Sequence, residues 1–137
     1  MNKKRKILFL GVLAVVLMIG GCKAEITGYE KVSDLNYTVM NKDEIPEDLA
    51  AIIEEKKENI FKFTYSDQQF LYIVIGYGMQ ESGGYDIQIR DLYLTSNAIF
   101  FDTELIGPKK ADETMKGSSY PYLVVKTELM DQRVIFE

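Results

Sequence analysis

Phe70-Leu71-Tyr72-Ile73-Val74-Ile75 is apolar at every position, whichever parity is followed, and Gly76-Tyr77-Gly78 closes the run. A strand with one face in water alternates apolar and polar side chains, because successive residues point to opposite faces. Six apolar residues in a row therefore predict a strand covered on both faces, with a layer of structure on each side.

Upstream, Ile60-Phe61-Lys62-Phe63-Thr64-Tyr65 alternates, and the turn Ser66-Asp67 leads into Gln69–Gly76, so the two runs form a hairpin. Before it, Ile45, Leu49, Ile52 and Ile53 make one apolar stripe at helical spacing. Pro46 suits the first turn, Glu47 and Asp48 sit where the helix dipole favours acids, and Lys56 and Lys57 close the other end. The charge run Glu54, Glu55, Lys57, Glu58 reads as a solvated face. Leu35–Met40 is expected to be a first strand.

Downstream, Tyr85, Ile87 and Ile89 alternate with Asp86, Gln88 and Arg90. The apolar phase then shifts to Leu92 and Leu94, which predicts a bulge near Asp91. Ser96-Asn97 is a turn, and Ala98–Leu105 returns as a strand. Gly107–Ser119 reads as a long polar loop, and Tyr120–Thr127 with Gln132–Phe136 as a last pair of strands. Tyr120-Pro121 invites a cis bond. The expected class is α+β, with one helix on a mainly antiparallel sheet, or on a small sandwich or barrel.

The N-terminus is of another kind. Lys3, Lys4, Arg5 and Lys6 precede an uncharged apolar stretch, Ile7–Ile19, followed by Gly20, Gly21 and Cys22. A basic start, an apolar middle and small residues at the cut describe a secretory signal. The run through Gly21 would be roughly 22 Å long as a helix, short of a bilayer core of about 30 Å. Ile19-Gly20-Gly21-Cys22 resembles the lipobox of bacterial lipoproteins, which implies cleavage before Cys22 and lipid (palmitate among the acyl groups) on its thiol. The expected organisation is a signal peptide at 1–21, a lipidated tether at 22–31, and one domain at 32–137, facing outside the cytoplasm. Cutting there leaves twelve basic residues against twenty-one acids, a side-chain charge of −9. That surface repels phosphate backbones, so nucleic acid is excluded as a partner.

Catalytic equipment is scarce. The chain has no histidine, and its one cysteine is Cys22, so a histidine base, a thiol nucleophile and a Cys/His zinc site all drop out. Ser82 lies in no nucleophile elbow, Asp112 and Glu113 lack the spacing of a calcium loop, and Gly76-Tyr77-Gly78 precedes neither a lysine nor a helix that would cradle phosphate. No enzyme activity, no cofactor and no metal is expected.

Phe70–Gly78 followed by Glu81-Ser82-Gly83-Gly84-Tyr85-Asp86-Ile87-Gln88-Ile89 resembles the C-terminal domain of the protease complex subunit PrcB family. Gly107-Pro108 and Tyr120-Pro121-Tyr122-Leu123-Val124-Val125-Lys126 carry the likeness on, so it extends over roughly Ile45 to Phe136. Serine stands at Ser82 where the family usually has threonine. The resemblance implies a lipoprotein partner of a surface protease. A few residues of the Gly-Gly-Tyr loop are also similar to the Thr-Gly-Tyr loop of chagasin-type protease inhibitors.

Tyr77, Met79, Ser82, Gly83, Gly84 and Tyr85 are the expected partner-binding residues, joined by parts of Gly107–Ser119. Aromatic residues and methionine favour interface centres. The structural alternative is that both glycines supply positive φ at a tight connection while Tyr85 packs inward. The functional expectation is a membrane-anchored, protein-binding accessory module whose partner is an envelope protein such as a peptidase. Two other readings stand beside it: a small-ligand carrier with a cavity lined by Phe63, Tyr72 and Phe100, and an envelope domain that self-associates through a sheet edge.

Overall fold

The computed structural model describes residues 30–109 and 116–137. The signal sequence, Cys22, most of the tether, and Asp112 and Glu113 lie outside the described residues.

The elements run β1 (Ser33–Asp34), β2 (Tyr37–Val39), a 3-10 turn (Lys42–Glu44), α1 (Glu47–Lys56), β3 (Ile60–Ser66), β4 (Phe70–Tyr77) and β5 (Gln80–Ser82). They continue with β6 (Asp86–Leu94), β7 (Ala98–Ile106), β8 (Lys116–Ser119), β9 (Tyr122–Glu128) and β10 (Arg133–Phe136). One four-stranded sheet has the order β1-β6-β7-β10 and a second β2-β9-β4-β3, while β5 and β8 make a small ribbon. The protein is mostly β with one short helix, broadly α+β.

Strand β4 occupies the place its composition demands. Leu71, Ile73 and Ile75 pack into a cluster with Ile99 and Phe101 of β7 and Val125 of β9, so this face is the core between the two sheets. Tyr72 and Val74, on the opposite parity, pack with Ile45, Leu49 and Ile53 under the helix. The second sheet is thus covered by the first sheet on one face and by α1 on the other. Leu49, Ile73, Val74, Ile99 and Val125 are fully buried, and truncating such a leucine costs about 2–5 kcal/mol.

The helix stripe is anchored as its spacing requires. Pro46 caps α1 at its start with no side-chain hydrogen bond, and its carbonyl accepts from Ala50 N–H at 2.8 Å. The β3–β4 turn is closed by Asp67, whose carboxylate accepts the amides of Gln69 at 2.8 Å and Phe70 at 2.7 Å. In the β6–β7 hairpin the register slips between Ile89 and Asp91, leaving Arg90 as the extra residue, which rephases the apolar side chains toward the core.

Several expectations need correction. Leu35–Met40 is not one strand: the chain changes sheets at Leu35, a buried corner residue, so β1 pairs with β6 and β2 with β9. The last two strands do not pair with each other. Instead β10 crosses to the first sheet and lies parallel to β7, which buries Val134 and Phe136 against the shared core. The region read as a polar loop contains β8, held by main-chain pairing with β5 rather than by any apolar pattern. The Tyr120–Pro121 bond is trans.

Phe100 also departs from its expected place. It stacks on Tyr93 at 4.9 Å, on the parity opposite to buried Ile99 and Phe101 and so on the far face of the first sheet. Phe63 and Tyr72 pack under the helix, so these three aromatics line no common cavity.

Candidate functional site

One end of the sandwich gathers the C-terminal ends of β4 and β7, the N-terminal ends of β3, β6 and β9, and the β5–β8 ribbon. Met79 N–H donates to the Glu58 carbonyl at 3.2 Å, tying the residue after Gly78 to the segment that follows α1. Tyr77 N–H donates to the Pro121 carbonyl at 3.1 Å. The ribbon itself pairs Gln80 with Ser119 and Ser82 with Lys116. The Tyr77–Tyr85 segment and the region 116–119 are therefore one structure.

Within it the expected residues divide by exposure. Tyr77 is half-buried, and its hydroxyl shares a 2.6 Å hydrogen bond with Thr103 Oγ1 across the space between the sheets. Tyr85 is half-buried too, its ring lying 3.3 Å from where a Cβ on Gly107 would stand. Ser82 Oγ donates to the Gly83 carbonyl at 3.1 Å, and the Ser82 carbonyl accepts Ser119 Oγ–H at 2.6 Å. These contacts make the ribbon and both tyrosines supports for the end of the sandwich. Met79 is 55% exposed and Ile60, beside it on β3, 71%. Ile106 at the end of β7 is exposed as well, so the surface at this end carries separate large apolar side chains.

The glycines are not equivalent. Gly84 has φ of 83°, Gly78 of 75° and Gly117 of 95°, while Gly83 is outside the left-handed region. Of the Gly83-Gly84 pair only Gly84 needs glycine for its backbone angle. Gly78 is required twice over, because an added Cβ would lie 3.2 Å from backbone atoms of Asn59 and Ile60.

Two side-chain roles, those of Thr103 and Tyr120, were not legible in the sequence. Thr103 is buried between Phe101 and Leu105 in strand order, and a hydroxyl on an apolar face is the signal that a partner was waiting for it. Tyr120 receives the Lys57 ammonium over its ring at 5.0 Å, which fastens the helix end to the entry of β9. Burial raises the Tyr122 phenol above its ordinary range.

At the opposite end, Asn36, Tyr37, Thr38, Phe70, Lys126, Thr127 and Glu128 line an open groove of about 190 Å³. Small-molecule pockets usually hold about 300–1,000 Å³, so this groove gives the carrier reading little room.

Residues 71–128 match the family described as PrcB C-terminal. The match begins at the second residue of β4 and ends at the last of β9, and so contains β5, β8 and the whole Tyr77–Tyr85 segment. This part of the chain is thus similar to a PrcB C-terminal domain, the resemblance that the glycine motif implied. No curated protein and no solved structure matches the chain.

Proposed function

We propose that this protein is a non-enzymatic accessory module that binds a protease of the cell envelope, held by lipid on Cys22 to the outer face of a membrane. The observation that carries the reading is the PrcB C-terminal match over residues 71–128. The sequence supports the location through its basic start, apolar run and Ile19-Gly20-Gly21-Cys22 box. The proposed site is the end of the sandwich described above, and the exposure of its side chains supports a division into two roles. Met79, Glu81 and Gly84, all exposed, together with Ile60, meet the partner. Tyr77, Ser82 and Tyr85 hold that surface in place.

The test is a cross-linking pull-down of the full chain from native membranes, with Cys22→Ala as the mislocalised control. A peptidase recovered with the wild type and lost with Met79→Asp, at unchanged melting temperature, is the expected result. Recovery of no discrete protein, or equal recovery with Met79→Asp and Glu81→Arg, overturns the proposed site.

A further inference from the structure

Strand β3 forms the outer edge of the second sheet, and among the described residues nothing pairs with its far side. The direction of its free amides follows from its neighbours. Tyr77 N–H donates to Pro121 on the β9 side, so the odd residues of β4 bond toward β9 and the even ones toward β3. Asp67 N–H donating to the Phe70 carbonyl agrees with this. In register with β4, Phe61, Phe63 and Tyr65 then bond inward, while Ile60, Lys62, Thr64 and Ser66 present their N–H and C=O groups outward.

Exposed edges of this kind are usually blunted by proline, charge, bulges or brevity. This one is seven residues long, without proline or a register break, and its single charged residue is Lys62.

We propose that β3 is a self-pairing strand, joining two copies of this chain antiparallel about a twofold axis at Phe63. In that register the outward residues face one another in hydrogen-bonded pairs, Ile60 with Ser66 and Lys62 with Thr64, each twice. Two bonds per pair give about eight hydrogen bonds. The inward residues form the closer, non-bonded pairs, Phe61 with Tyr65 and Phe63 with its own copy. The half-buried aromatics under each helix merge into one band of six. Beyond the strand, Glu58 meets Gln68 and Asn59 meets Asp67, so no like charges oppose one another. Moving the axis to Lys62 sets two lysines face to face and leaves Tyr65 and Ser66 unpaired. Moving it to Thr64 strips Ile60 and Phe61 of partners. Both length and charge thus select the Phe63 axis, and the interface is isologous, as a twofold requires. The proposal rests on the strand edge and not on the protease-binding reading; the two share only Ile60, which pairs here through its main chain.

The experiment is oxidative cross-linking of the full chain in native membranes, with the wild type, whose one cysteine is Cys22, as control. Lys62→Cys/Thr64→Cys is expected to give a covalent dimer at least ten times more abundant than either single substitution, because neither position faces itself. Light scattering of the detergent-extracted chain should show a dimer. Thr64→Pro, which removes only an outward amide, and Thr64→Lys, which sets a lysine against Lys62 of the other copy, should each weaken it about tenfold or more. Circular dichroism checks that both variants fold. A monomer at tens of micromolar, or single substitutions that cross-link as strongly as the double, overturns the proposal.

Discussion

Gly76 is the position where one added methyl has the most direct consequence. It lies on the helix-facing side of β4, paired across the strands with Phe61 on one side and Tyr122 on the other. A Cβ there would stand 2.1 Å from Phe61 Cε1, 2.5 Å from Cζ and 2.7 Å from Cδ1. Carbon atoms pack best at about 3.5–4.0 Å, so the ring must move by well over 1 Å. It is hemmed in by Phe63, whose ring centroid is 5.7 Å away. Forced overpacking of this kind costs about 1–3 kcal/mol. Replacing glycine by alanine within a strand otherwise returns about 0.5–1 kcal/mol through lost unfolded-state freedom. Gly76→Ala should therefore destabilise by about 1 kcal/mol. With Phe61→Ala already in place it should be slightly stabilising, giving a coupling of about 2 kcal/mol. Equilibrium urea unfolding followed by far-ultraviolet circular dichroism reads the single substitution as a midpoint shift of about 0.5 M at unchanged slope. An equal cost in both backgrounds would show that the backbone, and not the ring, needs glycine, and would refute the reasoning.

The Tyr77–Thr103 hydrogen bond should be worth about 1–2 kcal/mol, since either single change leaves a shielded hydroxyl without its partner. Tyr77→Phe/Thr103→Val should then cost less than the two singles together in the same unfolding assay. Gly84→Ala should destabilise by about 1–2 kcal/mol because of its positive φ, whereas Gly83→Ala should be close to neutral; thermal melts of the two variants separate these outcomes. The amides of Gln69 and Phe70 hold the Asp67 carboxyl below its ordinary value of 3.8. A depressed acid contributes stability that is present above that value and is lost as pH falls through the folded one. Wild type should therefore melt higher than Asp67→Ala at pH 7, and the gap should close below about pH 3.8, as melting curves across that range will show.

Much of the architecture was legible because burial writes itself into side-chain patterns. The unbroken run Phe70–Ile75 required two covering layers, the stripe Ile45, Leu49, Ile53 supplied one of them, and the phase shift around Arg90 announced the bulge. What stayed hidden was decided by backbone pairing. β5 and β8 meet through main-chain bonds between polar residues, so no apolar alternation marks them. β10 lies parallel to β7 although its nearest neighbour in sequence is β9, because Val134 and Phe136 find the inter-sheet core only by crossing over. The parity of Phe100 was misjudged for a related reason: in Ala98–Phe101 every residue is apolar, and the tertiary neighbours alone tell which face is inward.

The candidate site shows the same division. Gly-Gly-Tyr marked the segment, and its glycines and tyrosines are the residues whose roles the geometry redistributes. Tyr77 reaches between the sheets to Thr103, and Tyr85 lies against Gly107, so both rings are half-buried supports. The large apolar side chains left to solvent at that end are Met79, Ile60 and Ile106, contributed by three separate strands or strand ends. Sequence proximity could single out Met79, but not Ile60, which comes from a different element and is brought to Met79 by the bond between Glu58 and Met79. A motif of glycines and aromatics thus marks where a loop is braced. The large apolar side chains that the brace leaves to solvent come from outside the Gly-Gly-Tyr motif, and substitutions that test the proposed partner surface belong on them.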